Sequence, residues 1–453
     1  MPETRILLKH RDEPGIEDIE TYERLGGYTA LRKALGMERQ EVINEVKSSG
    51  LRGRGGAGFP TWIKWDGIPK NTNQPHYVLC NADEGEPGTF KDRELMLKCA
   101  HQIVEGIIIA GYATLSKVSY IYIRGEFVES AKMVRKAIDQ AYRKGYLGKK
   151  ILGREDFDFD LYIHVGAGSY ECGEESALMS SLMGERGQPR LKFPHAPLPV
   201  IAGAWNQPTL INNVETYSVV PHIIVNGGAW YASMGTQGSK GTKIFSLSGH
   251  IAKPGNYEII FGMPLLDLVE LAGGVTGGNL KAIIPGGSSV PLIPAEIAKD
   301  FTLDYEASQT VQYRMRTMRL PVVGSGGMMV FNDRTDIVTL MLRTAEFYAH
   351  ESCGKCTPCR EGTRWLYKIL YRIVSGGGRP SDLDILMNIC DGIDGRSYCA
   401  LGDAAAWPIM GSLKHYRHEY EYWIEHKRSP LGDNFVPPVP NRLNLNFELL
   451  PAR

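Results

Sequence analysis

The chain has no excess of either charge, because Lys and Arg number 51 and so do Asp and Glu. A global field that would draw it to nucleic acid or to an anionic membrane is therefore excluded, and only local patches could serve that purpose. It also has no apolar run long enough to cross a bilayer. The longest, Ile103 to Leu115, is interrupted by Glu105 and falls short of the roughly 18 residues a transmembrane helix needs. The opening MPETRILLKHRDEPG places acids among its basic residues, unlike a secretory or organellar leader. A protein outside the membrane, attached to it only through partners, is expected. Cysteines are few: eight in 453 residues, crowded toward one end. That usage does not suit a secreted disulfide scaffold and points to a metal site in a reducing compartment. No H-E-x-x-H or similar set occurs, so the usual signature of a zinc hydrolase is missing.

What is present is glycine, 51 residues of it, in a chain long enough for two to four domains. Residues 1–75 read as a charged arm, a helix pair carrying Leu31, Leu35, Val42, Ile43 and Val46 at helical spacing, and a glycine-rich loop. In LRGRGGAGFPTWIKW four Gly and one Pro fall within eight residues, which excludes a regular element there. Residues 76–239 repeat strand, turn and helix, with strands at Tyr77 to Cys80, SYIYI and FDLYIHV, an apolar helix over 94–115 and another from Val128 to Lys144. This is the pattern of an open α/β sheet. Residues 240–336 read as a small α+β module of ubiquitin-like or SLBB type, 337–427 as a helical bundle, and 428–453 as an extended, proline-rich tail. The fold class expected is thus α/β, a Rossmann-like open sheet with a non-standard glycine loop, followed by two smaller modules.

Cys353, Cys356 and Cys359 form C-x2-C-x2-C, and Cys399 lies 40 positions beyond. Three thiolates so spaced can each take one corner of a cubane cluster, and a distant fourth closes the site. Zinc is the chemical alternative, but its sites usually bring two C-x2-C pairs. Cys390 competes with Cys399 as fourth ligand, Cys80 and Cys99 read as packing, and Cys172, in a glycine turn, is compatible with either a role or burial.

Gly53, Gly55 and Gly58 satisfy G-x-G-x-x-G, but a helix precedes the loop, and Pro60 and Trp62 follow it. The ordinary dinucleotide reading, which needs a strand before and a helix after, is rejected. A glycine run flanked by Arg52, Arg54 and Lys64 still suits close approach to a phosphate or a ring, and so does a plain surface loop. In NADEGEPG, residues Asn81, Asp83, Glu84 and Glu86 end a strand, and carboxylates so crowded need donors such as ribose hydroxyls or a flavin edge. GAGSYECGEE places Glu174 and Glu175 at a helix start, where simple capping explains either one alone. INNVET offers amides and a hydroxyl that suit a phosphate or an ordinary helix start.

In this order LRGRGGAGFPTWIKW, NADEGEPGTFKDR, GAGSYECGEESAL, INNVET and ESCGKCTPCREGT resemble the flavoprotein subunit of respiratory complex I and its diaphorase homologues in NAD-linked hydrogenases and formate dehydrogenases. The resemblance runs from about residue 45 to 425. It implies an FMN site at Gly53, Gly55, Lys64, Asn81, Asp83, Glu84, Tyr170, Gly173, Glu174, Glu175, Asn212, Asn213 and Thr216. It further implies nicotinamide nucleotide contacts at Gly56, Phe59, Glu86 and Lys192, and cluster ligands Cys353, Cys356, Cys359 and Cys399. The chain departs from the family at Trp62, Gly67 and His195, around the adenine, and its KFPHAPLPVIAG segment is a few residues longer.

The implied reaction is hydride transfer from NADH to FMN, then single-electron transfer to one 4Fe-4S cluster. Glu86, Glu174 and Glu175 position the cofactor and disfavour the 2′-phosphate of NADPH. Expected partners are a 2Fe-2S thioredoxin-like subunit and a large multi-cluster iron–sulfur subunit, with quinone as the destination in complex I; the alternative is a hydrogenase or formate dehydrogenase diaphorase. No nucleic acid and no direct membrane insertion are expected, and the location implied is cytoplasmic, on the inner face of the plasma membrane. The apolar tail from Ser429 to Arg453 is expected to pack along a partner, or else to fold back on its own bundle.

Overall fold

The computed structural model describes residues 3–192, 194–432 and 435. Most of the tail, and with it the expectation that the tail packs along a partner, lies outside the described residues.

Four parallel strands form the first sheet: β1 (Tyr77–Ala82), β2 (Val118–Ile123), β3 (Asp160–Val165) and β4 (Thr209–Asn213), in the order β3-β2-β1-β4. The chain winds outward from β1 to β3 and then returns to the other side of β1. The direction reverses between β1 and β4, and a reversal of this kind opens a crevice at the carboxyl ends of the strands. Asn81 of β1 and Asn213 of β4 are paired in register at that end.

The helix expected over 94–115 is two helices, Lys91–Lys98 and Ala100–Ala113, bent by 97°. Cys99 lies between them at φ −130°, ψ 34°, a break that no glycine or proline announces. All of Ala100–Ala113 is buried, Glu105 included, and this carboxylate explains the interrupted apolar run. It accepts hydrogen bonds from the Tyr22 hydroxyl at 2.6 Å and from the backbone N–H groups of Tyr28 and Leu31 at 3.0 Å. Tyr28 precedes helix Thr29–Leu35 in the left-handed region, with no cap from its own side chain. Glu105 thus caps that helix from across the core. Burial pushes its pKa up, although the hydrogen bonds oppose the shift. Two further helices differ from expectation. Ile19–Arg24 is helical inside the arm, and Thr61–Asp66 is helical inside the segment read as irregular, where Pro60 opens and Gly67 closes a single short turn. A helix does therefore follow the glycine loop, and the ordinary dinucleotide reading fails only on the missing strand before it.

The second sheet is mixed. Thr242–Gly249 pairs in parallel with Gly327–Asn332 and antiparallel with Gly255–Ile260, while Leu280–Ile284 and Ile293–Pro294 extend the other side. A hairpin, Ser308–Tyr313 with Arg316–Pro321, projects from it. Four helices follow, Ile337–Glu351, Thr357–Arg372, Asp382–Ile393 and Leu401–His426. They enclose a core that includes Leu342, Leu366, Leu386, Ile409 and Trp423.

Replacing Glu105 by Ala leaves two backbone donors buried without an acceptor, a cost of about 3 kcal/mol. The thermal midpoint followed by circular dichroism should fall by roughly 5 °C or more, and Glu105→Gln should lose less. An unchanged midpoint in Glu105→Ala would show that this carboxylate is not what holds the helix.

Candidate functional site

The crevice at the strand reversal widens into a cavity of about 590 Å³ between the first sheet, the second sheet and the helical bundle. Ligand pockets usually measure about 300–1,000 Å³. Gly55, Gly56, Asn81, Asp83, Glu84, Glu86, Tyr170, Gly173, Glu174, Asn213 and Cys399 all line it. Eleven residues singled out from separate motifs therefore meet on one surface.

Each wall has a local cause. Gly55 sits so close to Asn213 that a Cβ there would lie 3.3 Å from the Asn213 Cβ, and Gly56, at φ +135°, faces Gly324 and Ser325. Side chains at either place would narrow the cavity. Asn81 Nδ2 donates to the Gly173 carbonyl at 2.8 Å, tying the first acidic turn to the second. Glu84 accepts from the Asp92 and Arg93 N–H groups and caps helix Lys91–Lys98; burial, reinforced by Asp92, pushes its pKa up to about 7. Glu86 accepts from the Tyr170 hydroxyl at 2.6 Å and from the Ser289 N–H at 2.7 Å. Asp83 has a buried oxygen, Oδ1, with no hydrogen-bond donor among the described residues, the Arg124 guanidinium being 3.9 Å away, and burial pushes its pKa up to about 7. Its setting calls for a ligand donor. Glu174 caps helix Glu175–Leu182 and pairs with Lys192 at 3.0 Å, while Glu175 pairs with Lys64 at 2.8 Å. Burial raises the Glu175 pKa, but Lys64 outweighs it and holds the carboxyl below its usual value.

Other expected residues stand back from the cavity. Arg54 is fully buried, and its guanidinium donates to the carbonyls of Arg52, Lys240 and Thr242 and to the Tyr231 hydroxyl. Only its backbone borders the loop, and there its N–H donates to Thr216 Oγ1. Thr216 and Asn212 are themselves buried, and Gly53 is held by a backbone bond to Phe59. Phe59 is exposed, with the Lys64 ammonium 5.9 Å from its ring centroid. Trp62 packs against the core beneath Lys47, Gly67 backs onto Val200, and His195 is exposed.

The most consequential residues that sequence reading passed over are Lys91 and Asp92, which close the NADEGEPGTFKDR motif and line the cavity. Lys91 Nζ reaches Asp92 at 2.7 Å, Glu215 at 3.0 Å and Asn213 Oδ1 at 3.2 Å, and Asn213 Nδ2 donates to Asp92 at 2.6 Å. Lys243 meets Glu215 at 3.4 Å from the second sheet. Burial lowers the Lys243 pKa to about 8, with Lys91 and Arg54 adding to the effect. Their place just after the acidic turn was the available signal; the buried ion network was not visible from it.

The thiols gather beyond Tyr170. Cys359 and Cys399 are buried in one small cluster with Tyr348 and Leu401, and Cys356 and Tyr170 pack against it. Burial pushes the Cys359 thiol up to about 12, with Cys356 and Cys353 adding to the effect. Cys390 lies apart, in the helical core beside Leu386 and Ile393. Cys172 is buried against Leu178 and Gly187, which is packing. Among the described residues no three His, Cys, Asp or Glu side chains converge closely enough to hold one metal ion. Four thiolates on zinc would each sit about 2.3 Å from it, whereas a cubane gives each sulfur its own iron. Four buried or half-buried thiols, close enough to raise one another's pKa, are the donor set that a cubane takes.

Residues 46–222 match the family described as the Nuo51 FMN-binding domain, 243–338 the SLBB domain, and 339–423 the NADH-ubiquinone oxidoreductase-F iron-sulfur binding region. The chain is 47% identical over 428 residues to the second F-type NADH-quinone oxidoreductase subunit of Rhizobium meliloti strain 1021, covering 94% of this chain and 99% of that protein. The chain belongs to the family of F-type NADH-quinone oxidoreductase subunits. The F-type member of Mycobacterium tuberculosis is also 47% identical, over 432 residues, covering 94% of each chain. Among solved structures, an NAD+-reducing [NiFe]-hydrogenase in the H2-reduced state aligns at TM-score 0.79 and 34% identity, covering 96% of this chain and 68% of that one. As a family member the chain carries an FMN-binding domain, an SLBB domain and a 4Fe-4S binding region, and no single helix among its described residues is long and apolar enough to cross a membrane.

Two variants separate the candidate fourth ligands. Cys399→Ser should lose the electron paramagnetic resonance signal of the reduced cluster while keeping bound flavin, and Cys390→Ser should keep both. The reverse pattern would move the ligand to Cys390. Lys91→Met strips two buried carboxylates of their shared cation, a loss of about 3–5 kcal/mol. Flavin retained through gel filtration should drop with it, and full retention at an unchanged melting temperature would show that Lys91 is not needed.

Proposed function

We propose that this chain oxidises NADH at the cavity, with FMN held there and a 4Fe-4S cluster bound by Cys353, Cys356, Cys359 and Cys399. The observation that carries the reading is Tyr170: its hydroxyl holds Glu86 on the cavity wall, and its ring packs against the thiol cluster. One residue thus joins a nucleotide-sized cleft to a four-thiol set.

Bound FMN supplies hydride acceptance and one-electron release, and the cluster supplies the one-electron outlet. The chain supplies binding and orientation. Gly55 and Gly56, with Asn81, Asp83, Glu84, Gly173 and Asn213, would hold the flavin, and Asp83 would offer its unpaired oxygen to a ring or ribityl donor. Arg54, Asn212 and Thr216 act at one remove, by fixing the loop backbone and the start of helix Val214–Asn226. Lys91 and Lys243 meet two carboxylates, Asp92 and Glu215, and the buried Arg54 guanidinium adds positive charge behind them; that charge, presented by Lys91, suits a phosphate. Glu86, Glu174 and Glu175, with Phe59 and Lys192 at the rim, position the dinucleotide. No general base is required, because the reacting hydride leaves without a side-chain proton transfer.

Electrons then pass to other subunits of a multi-subunit complex, a 2Fe-2S thioredoxin-like subunit and a large multi-cluster subunit, peripheral to the inner face of the plasma membrane and directed toward quinone. A second reading, the diaphorase of an NAD-linked hydrogenase, rests on the likeness to the [NiFe]-hydrogenase chain.

The purified protein should show flavin absorption over a broad iron–sulfur envelope and reduce ferricyanide with NADH. A colourless protein, or a coloured one that NADH does not bleach, would refute the assignment. Selectivity has its own test. Glu175→Gln releases Lys64 from its ion pair and leaves an ammonium free for a 2′-phosphate, so kcat/KM for NADPH relative to NADH should rise about tenfold. An unchanged ratio would remove Glu175 from cofactor selection.

A further inference from the structure

The segment that carries Cys399 has no regular structure of its own. Helix Asp382–Ile393 ends before it and helix Leu401–His426 begins after it, with Ser397, Tyr398 and Cys399 in successive bends. A thiol so placed stands where its surroundings hold it. The hairpin of the second sheet, Ser308–Tyr313 with Arg316–Pro321, grips both flanking helices. Its Val311, Met318 and Leu320 share the buried core of the bundle with Leu386, Ile393 and Ile409. On its first strand the Thr310 carbonyl accepts from Lys414 Nζ of the following helix at 2.9 Å. On its second strand Arg316 reaches the end of the preceding helix. Nη1 donates to the Asp391 carboxylate at 2.6 Å and to the Asp391 carbonyl at 3.1 Å, and Nη2 donates to the Asp394 carboxylate at 2.9 Å. Met315 at the turn is 99% exposed, so its side chain does not anchor the tip. Asp394 also accepts from Trp407 Nε1 at 2.8 Å, and Trp407 lines the cofactor cavity with Cys399, Ala400 and Leu401.

We propose that Arg316 is the positioning residue of the fourth cluster ligand: its guanidinium fastens the end of helix Asp382–Ile393 to the hairpin and so fixes where Cys399 stands. The proposal rests on the cluster assignment above and adds what holds its most distant ligand in place. A surface ion pair contributes at most about 1 kcal/mol, and the Arg316 side chain is 39% exposed. Its partners are not: Asp391 and Asp394 are 13% and 12% exposed. One planar fork meets two carboxylates and a carbonyl, and guanidinium–carboxylate contacts of this kind carry direction as well as strength. A lysine is a point charge on a flexible stem and cannot reproduce the fork. Arg396 approaches Asp391 at 3.7 Å, but it belongs to the segment itself and cannot anchor it from outside. The other three thiols do not depend on the hairpin, because they arrive together on one loop and the first turn of helix Thr357–Arg372. Since each thiolate of a cubane serves its own iron, loosening this one clamp should be felt at a single corner.

The test uses the full chain loaded with flavin and cluster. Iron leaving the dithionite-reduced protein is captured by the ferrous chelator bathophenanthroline disulfonate, and the electron paramagnetic resonance spectrum of the reduced cluster is recorded alongside. Arg316→Ala should release iron about tenfold faster than the wild type and shift the g values, with Arg316→Lys falling between the two. Arg319→Ala is the control on the same strand, since its guanidinium donates to Ser308 within the hairpin; it should keep the wild-type rate and spectrum. Asp394→Asn keeps an acceptor for Trp407 and loses the charge facing Arg316, so it too should speed release. R316A/D394N should then be no faster than Arg316→Ala, because the two ends of one contact do not add. Should Arg316→Ala fail to fold, Arg316→Lys and Asp394→Asn carry the same comparison. Wild-type rates and g values in the Arg316 and Asp394 variants, or an Arg319→Ala protein as labile as Arg316→Ala, would overturn the proposal. A wild type that holds no iron and gives no cluster signal would instead overturn the cluster assignment itself.

Discussion

Glu215 has no exposed surface, and the architecture around the cavity depends on how its charge is met. Lys91 from the first domain reaches one of its oxygens, Lys243 from the second sheet reaches the same one, and the Ile244 N–H donates to the other at 2.8 Å. Lys243 also donates to the Arg54 carbonyl in the glycine loop at 3.2 Å. Burial opposes ionisation of Glu215, but Lys243, Lys91 and Arg54 outweigh it and hold the carboxyl below its usual value. An isolated buried charge would cost several kcal/mol, whereas a charge shared among fixed partners sets geometry. Here it ties the first domain, the second sheet and, through Lys243, the glycine loop to one carboxylate.

The cavity itself comes from topology. A parallel sheet that winds from β1 to β3 and then adds β4 on the other side must leave its loops diverging between β1 and β4. Asn81 and Asn213 stand side by side at that point because their strands are in register. Neither amide would be aimed without its neighbours: Gly173 accepts from Asn81, and Lys91 with Asp92 grip both ends of Asn213. Two unrelated turns thereby become one wall, and the helical bundle closes it through Tyr170, whose N–H donates to Glu351 at 3.1 Å.

Much of this could be read from sequence wherever the signal was local. The strands at Tyr77, Val118 and Asp160, the helical end of the chain and the cysteine triplet follow from periodicity and spacing. The acidic turns gave away the cavity because three carboxylates in four residues make sense only near donors. What periodicity could not show was any feature decided by a distant partner. Glu105 looked like a flaw in an apolar run, yet it caps a helix some seventy residues earlier in the chain. Arg54 looked like a phosphate ligand because it flanks a glycine loop, yet its guanidinium is spent on four groups in the fold interior. Cys99 breaks a helix without any breaker residue. Each case turns on a long-range contact, and local patterns carry no information about those.

A net charge of zero conceals the arrangement that matters most. Around the cavity the charges are sorted. Lys91, Lys243 and Arg54 gather around Asp92 and Glu215 beside the glycine loop and the second sheet, while Glu86, through Tyr170, and Glu171, beside Cys399, lie toward the thiols. Burial raises the Asp83 and Glu171 carboxyls to about 7, so near neutral pH each of these two holds only part of its charge. The resulting field favours a ligand with its anionic end toward the glycine loop and its donor-bearing end toward Asp83. An FMN molecule has that polarity, a phosphate at one end and a ring N–H at the other. At the rim, Lys64 and Lys192 are already engaged by Glu175 and Glu174. Charge sorting inside a neutral chain gives one cleft two distinct ends.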